Sequence, residues 1–245
     1  MSVFASARAH LSLAFALLAT AAFGQTEPAQ ELHQCLKPIP REGQAYERHL
    51  LLNQRVKDSR GQAEVIFVGD SITQGWEGNG KEVWAKYYAP RHALNLGIGS
   101  DHTQHVLWRL DHGNLDGLKP KVAVVLIGVN NIPDDQNTPR QVLEGVTAVV
   151  QKLREKLPET KVLLLGIFPR ANPGDPIRKT VLDVNPIIAK LHDGKNVFYL
   201  DIGAKFLDAD GRLPDDIMPD KLHPSEKGYE IWAEAVKGPL AELLK

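Results

Sequence analysis

The chain contains one cysteine, Cys35. That excludes an intrachain disulfide framework and a four-cysteine zinc site. It also has no surplus of charge of either sign: 29 Lys+Arg stand against 30 Asp+Glu, for a net charge of -1. Without a basic surplus there is no electrostatic footprint for a phosphate backbone, so no nucleic-acid partner is expected. Long apolar runs are missing as well. The one strongly apolar stretch, from Leu11 to Phe23, is shorter than the ~20 residues of a spanning helix. No internal repeat or low-complexity tract interrupts the 245 residues, of which 43% are hydrophobic and 24% charged. This balance excludes disordered and collagen-like chains and suits a single α/β domain.

Residues 1–24 have the form of a secretory signal peptide. Arg8 is their only formal charge, an apolar stretch follows, and Ala22-Phe23-Gly24 puts small residues at −3 and −1 of a cut. Cleavage after Gly24 and a secreted or periplasmic location are expected. An uncleaved anchor is the alternative, but the short apolar run argues against stable membrane insertion. Residues 25–60 read as a polar, proline-containing linker or surface clamp up to about Pro40, then a helix over 43–57. Residues 61–245 read as the main domain.

Five short, near-continuously apolar runs lie within it, at 64–68, 92–96, 121–127, 161–165 and 196–200. Such runs suit parallel strands covered on both faces. Helical patterns alternate with them at 82–89, 103–110, 140–157, 177–190 and 225–244. Pro176 and Pro224 fit helix starts, and Pro186 and Pro239 are expected to kink or interrupt the last two helices. The alternation predicts a single-domain, doubly wound, flavodoxin-like α/β fold, with a five-stranded parallel sheet and helices on both faces. In such a sheet the site lies beyond the carboxyl ends of the strands.

The residues there carry the chemistry. Ser71 follows the first run in Gly69-Asp70-Ser71. A serine at a strand-to-helix turn can expose its oxygen, although the same pattern also describes an ordinary N-cap. Asp220 precedes His223 by three residues, just before the last helix, so one turn can present an imidazole and a carboxylate together. An Asp-x-x-His pair on its own is common on surfaces. Donors for an oxyanion are available from the Ser71 N–H, from the loop 97–100 with its two glycines, and from the Asn130 amide. His102, His105 and His112 leave a weaker metal-ligand reading open. His92 is expected to be packed at the start of a strand. Gly97-Ile98-Gly99 lacks the third glycine of a dinucleotide fingerprint.

Taken in order, Gly69-Asp70-Ser71, the loop 97–101, Gly128-x-Asn130 and Asp220-x-x-His223 resemble the four blocks of the SGNH, or GDSL, hydrolase family, from about Glu64 to the C-terminus. Within that family the chain is most similar to the catalytic subunits of the intracellular brain-type platelet-activating-factor acetylhydrolase and their bacterial relatives. This rests on 95–101, 105–110, 120–122 and 128–131.

The resemblance implies a serine esterase with Ser71 as nucleophile, His223 as base and Asp220 as its orienting carboxylate. It implies an oxyanion hole of Ser71, Ser100 and Asn130, and an acyl pocket of Ile72, Val129 and Leu222 sized for acetyl or another short chain. No metal and no organic cofactor are implied. The expected partner is a small ester of a carbohydrate or lipid, with a homodimer left open. A lipase-like acylhydrolase of longer chains and a non-catalytic carbohydrate-binding module are the alternatives. Two positions depart from the family pattern. Ser100 stands where the family has glycine, which is workable only if the local φ suits serine. Asn131 replaces the commoner aspartate, as it does in the acetylhydrolase subgroup.

Overall fold

The computed structural model describes residues 32–132 and 137–245. The expected signal peptide at 1–24 lies outside the described residues, as does the beginning of the linker. Residues 32–245 form one compact unit. Its five strands are β1 (Val65–Gly69), β2 (Leu94–Gly97), β3 (Val122–Leu126), β4 (Lys161–Leu165) and β5 (Val197–Leu200). All pair in parallel, in the order β2-β1-β3-β4-β5. This is the flavodoxin-like order, whose switch point falls between β1 and β3.

The topology follows from handedness. The chain steps outward from β1 to β2, then crosses back over β1 to reach β3. Right-handed crossovers in opposite directions put their helices on opposite faces of the sheet. Accordingly, α3 (Lys81–Tyr87) packs with α7 (Glu226–Leu243), while α4 (Thr103–Leu110), α5 (Pro139–Lys156) and α6 (Pro176–Ile188) pack in sequence with one another. Every residue of β1 and β3 is buried, which is why these strands read as unbroken apolar runs. Phe67 of β1 centres an aromatic cluster, with ring centroids 4.6 Å from Tyr88 and 5.1 Å from Trp84. Burying such rings dominates core energetics.

Helix starts follow local chemistry. Thr138 and Gln141 form a reciprocal capping box ahead of α5, with Pro139 at its first position. Asp175 caps α6 by accepting from Ile177 N at 2.8 Å, and Ser225 caps α7. The expected interruption at Pro186 and Pro239 is corrected: α6 and α7 each run on past their proline. Both prolines are exposed, so the carbonyl that each leaves without a donor faces the wet side of its helix. His92 is also corrected. It lies before β2, exposed and left-handed at φ 50°, as the cap of a short 3-10 turn.

The N-terminal region does fold onto the sheet domain. A strap over 32–42 leads into α1 (Gly43–Asp58). The strap is anchored by Cys35, which is fully enclosed, and by bonds from His33 to Glu144 and from Thr103 to the Cys35 carbonyl. No described helix is long and apolar enough to cross a membrane.

Candidate active site

Ser71 opens the short helix α2 (Ser71–Gln74) directly beyond the end of β1. Two glycines make this turn possible by close approach. A Cβ on Gly69 would lie 2.1 Å from Thr73 Oγ1, and one on Gly97 would lie 2.3 Å from the Gln74 backbone nitrogen. The turn is stitched to its surroundings. Asp70 Oδ1 accepts from Ile72 N at 3.0 Å, Tyr229 Oη donates to the Ile72 carbonyl at 2.7 Å, and Gly99 N donates to Gln74 Oε1 at 2.7 Å.

His223 reaches this serine from the loop that precedes α7. Its Nε2 lies 2.8 Å from Ser71 Oγ, and its Nδ1 lies 2.6 Å from Asp220 Oδ2. Asp220 Oδ1 meanwhile accepts from the backbone N–H groups of Leu222 at 3.0 Å and His223 at 2.7 Å. Partial burial pushes the Asp220 carboxyl up. The bonds from the His223 ring and from the two backbone amides outweigh that and hold it below the usual carboxylate range. The loop bends at Lys221, which has φ 60°, and Ala171 N fastens it by donating to the Lys221 carbonyl at 3.0 Å.

The donor candidates sit at neighbouring strand ends. Gly128, at φ 119°, turns the chain out of β3 and presents Asn130, whose Nδ2 donates to the Asp101 carbonyl at 3.0 Å. An amide has a second N–H to offer. Ser100 takes a left-handed φ of 59°, the conformation in which the family's glycine would be at ease. Among the described residues, neither Ser71 N–H nor Ser100 N–H has a hydrogen-bond acceptor. Ile72 and Val129 are enclosed in the core, and Leu222 is half-buried against it. Each flanks a residue of the site, as the sequence order requires.

Asn131 is structural. Its Oδ1 accepts from Thr103 N at 3.0 Å and its Nδ2 donates to Gln104 Oε1 at 3.1 Å, tying β3 to the start of α4. His102 and His105 belong to that same helix start, where His102 N donates to His105 Nδ1 at 3.0 Å. Burial pushes the His105 imidazole down to about 4, so it is neutral at physiological pH. His112 stacks on Trp108. Among the described residues no group of three or more His, Cys, Asp or Glu side chains converges on a metal position.

Sequence reasoning missed the layer underneath. Arg109 is almost wholly buried in α4. Its guanidinium donates to Asp101 Oδ2 at 2.8 Å, to the Gly69 carbonyl at 2.9 Å and to Asn114 Oδ1 at 2.8 Å. One side chain thus joins the end of β1 to the loop after β2. The legible signal was an arginine set among the buried Val106, Leu107 and Leu110 of α4. Asp70 lies beside this pair, fully buried. Burial pushes its carboxyl up to about 7, against the bond from Ile72 N and with a further push from Asp101.

Residues 67–231 match the GDSL-like lipase/acylhydrolase family, and the chain belongs to that family. It is a carboxylic ester hydrolase. Among individual relatives, the chain is 37% identical over 225 residues to the human platelet-activating factor acetylhydrolase IB subunit alpha1, covering 90% of this chain and 93% of that one. It is 41% identical over 182 residues to the rat alpha2 subunit, covering 74% and 76%. A GDSL-like lipase from Bacteroides thetaiotaomicron shares the fold at TM-score 0.64 and 18% identity, over 80% of this chain and 97% of that one. Axe2, an acetylxylan esterase from Geobacillus stearothermophilus, does so at TM-score 0.58 and 19% identity, over 76% and 96%.

Proposed function

We propose that the protein hydrolyses short-chain esters, acetyl esters above all, by two-step acyl transfer. The observation that carries this reading is the continuous hydrogen-bonded chain Ser71–His223–Asp220. His223 takes the Ser71 proton as Ser71 attacks the ester carbonyl. Asp220 fixes the imidazole tautomer by accepting from Nδ1 and stabilises the imidazolium. The N–H groups of Ser71 and Ser100 and the Asn130 amide stabilise the oxyanion. His223 then protonates the leaving alcohol. A water that gives its proton to His223 releases the acid and restores Ser71.

The acetyl preference is supported by the apolar trio Ile72, Val129 and Leu222, which flank the reacting groups, and by the acetylhydrolase relatives. An open cavity of about 840 Å³ adjoins the loop that carries His223 through Lys221; Asp208, Asp210 and Arg212 line it together with Leu213 and Pro214, and no residue of the triad does. We assign the alcohol half to that side, where a hydroxyl-rich alcohol such as a sugar suits the charged lining better than a long alkyl chain. Rates on p-nitrophenyl esters from acetate to octanoate test the acyl half. The expected kcat/KM peaks at acetate, and a preference for octanoate would transfer the reading to a lipase-like acylhydrolase.

A further inference from the structure

Ser100 is the anomaly of the site: an L residue in a left-handed backbone, at a position whose N–H the reading above assigns to the oxyanion. Left-handed φ disfavours such a residue by roughly 5- to 30-fold per position. The serine side chain contributes nothing to offset this. It is exposed, and its hydroxyl has no hydrogen-bond partner among the described residues. What fixes the conformation is the backbone on either side of it. Upstream, Gly99 N is held by Gln74 Oε1 at 2.7 Å. Downstream, the peptide unit joining Ser100 to Asp101 is held at both edges. Asp101 N donates to the Ile98 carbonyl at 3.2 Å, and the Ser100 carbonyl accepts from Arg41 Nη1 at 2.9 Å, with His102 Nδ1 at 3.2 Å from the same oxygen.

Arg41 comes from the strap, outside the residues that match the family. It is well placed to act as a brace. The strap is seated by the buried Cys35, and Ile39 N donates to the Gln104 carbonyl at 3.3 Å. The guanidinium that reaches Ser100 also lies 3.5 Å from Asp101 Oδ1, a buried carboxylate oxygen whose neighbour Oδ2 is taken by Arg109. Another arginine of the same region braces the start of the loop: Arg48 Nε donates to the Gly97 carbonyl at 2.7 Å and is itself oriented by Glu77.

We propose that Arg41 is a positioning residue. By holding the Ser100 carbonyl it keeps Ser100 left-handed and its N–H aimed at the oxyanion, so the strap compensates for a serine where the family carries glycine. The proposal rests on the esterase reading above. It predicts a specific dependence: the need for Arg41 exists because residue 100 is not glycine.

The test is a cycle on the full chain with p-nitrophenyl acetate, comparing wild type, R41A, S100G and R41A/S100G. R41A is expected to lower kcat roughly 10-fold, within the range a left-handed L residue is disfavoured. KM should stay within about 2-fold, because the contact acts in the transition state and not on bound substrate. When S100G is present, the fold loss caused by R41A is expected to shrink to less than about 3-fold, because glycine holds φ > 0 unaided. An R41A loss of equal size with and without S100G overturns the proposal, as does a loss confined to KM. If R41A fails to fold, R41Q is read in the same cycle. S71A separates the two layers: full hydrolysis by S71A would end the reading of Ser71 as nucleophile on which the oxyanion assignment rests, whereas an S71A-sensitive enzyme with uncoupled Arg41 and Ser100 would end this proposal alone.

Discussion

Replacing Asp70 by asparagine should stabilise the protein at high pH and leave it nearly unchanged at low pH. Asp70 is fully buried beside Ser71, and only its Oδ1 has a partner, the Ile72 N–H. Burial, with a like charge at Asp101, pushes the carboxyl from 3.8 up to about 7. The sign follows from proton counting. Between about pH 4 and pH 7 the native state holds a proton on Asp70 that the unfolded chain has released, so this group's contribution to stability falls as pH rises through that window. A displacement of this size corresponds to ~4 kcal/mol once both states are ionised. Asparagine keeps the oxygen that accepts from Ile72 N and never ionises. Urea denaturation of wild type and D70N at pH 4.5 and pH 8 measures the effect, because groups that do not interact with Asp70 titrate alike in both proteins and cancel in the difference. The expected gain of D70N over wild type is several kcal/mol larger at pH 8 than at pH 4.5. An equal difference at both pH values would mean that Asp70 does not change its protonation on folding.

Asp220→Asn should lower kcat by up to ~10⁴ by favouring the wrong imidazole tautomer. His223→Ala should be at least as damaging, whereas His102→Ala and His105→Ala should each leave an active enzyme; steady-state rates decide which histidine is the base. Leu222→Ala should shift acyl preference from acetate toward butyrate, because overpacking a tight wall costs ~1–3 kcal/mol and removing Leu222 relieves it; ratios of kcat/KM across the ester series measure this. Expression in a secreting bacterial host should yield a chain that begins at Gln25, and N-terminal sequencing of exported protein starting elsewhere would contradict cleavage after Gly24.

The sheet was legible because its central strands β1 and β3 are buried on both faces and carry no polar interruption: 122–126 reads as a strand from its residues alone. Helices were legible to within one or two residues where a cap marks the start, as Thr138 and Asp175 do. The prolines at 186 and 239 do not interrupt their helices because both are exposed, so the carbonyl that loses its donor is on the side that meets water. The strand-end residues Ser71, Ser100 and Asn130, with Asp220 and His223, could be chosen from order along the chain because the parallel sheet gathers its carboxyl ends on one side. The bracing beneath them was not legible. Arg109 to Gly69 and Arg41 to Ser100 are contacts between a side chain and a backbone carbonyl, 40 and 59 residues apart. A carbonyl is present at every position, so such contacts leave no pattern to read. The serine at position 100 signalled a strained turn, but not the arginine that supports it.

Ester hydrolysis at this site requires that Ser71 be a nucleophile activated by His223. A serine-directed phosphonate probe, followed by peptide mapping, asks this directly. The wild-type protein should be labelled stoichiometrically at Ser71 with loss of esterase activity. Labelling should vanish in S71A and slow by several orders of magnitude in H223A, on the order of 10⁴. Labelling at another residue, or an S71A variant that retains more than about a tenth of wild-type turnover where loss of a nucleophile removes far more, would contradict it.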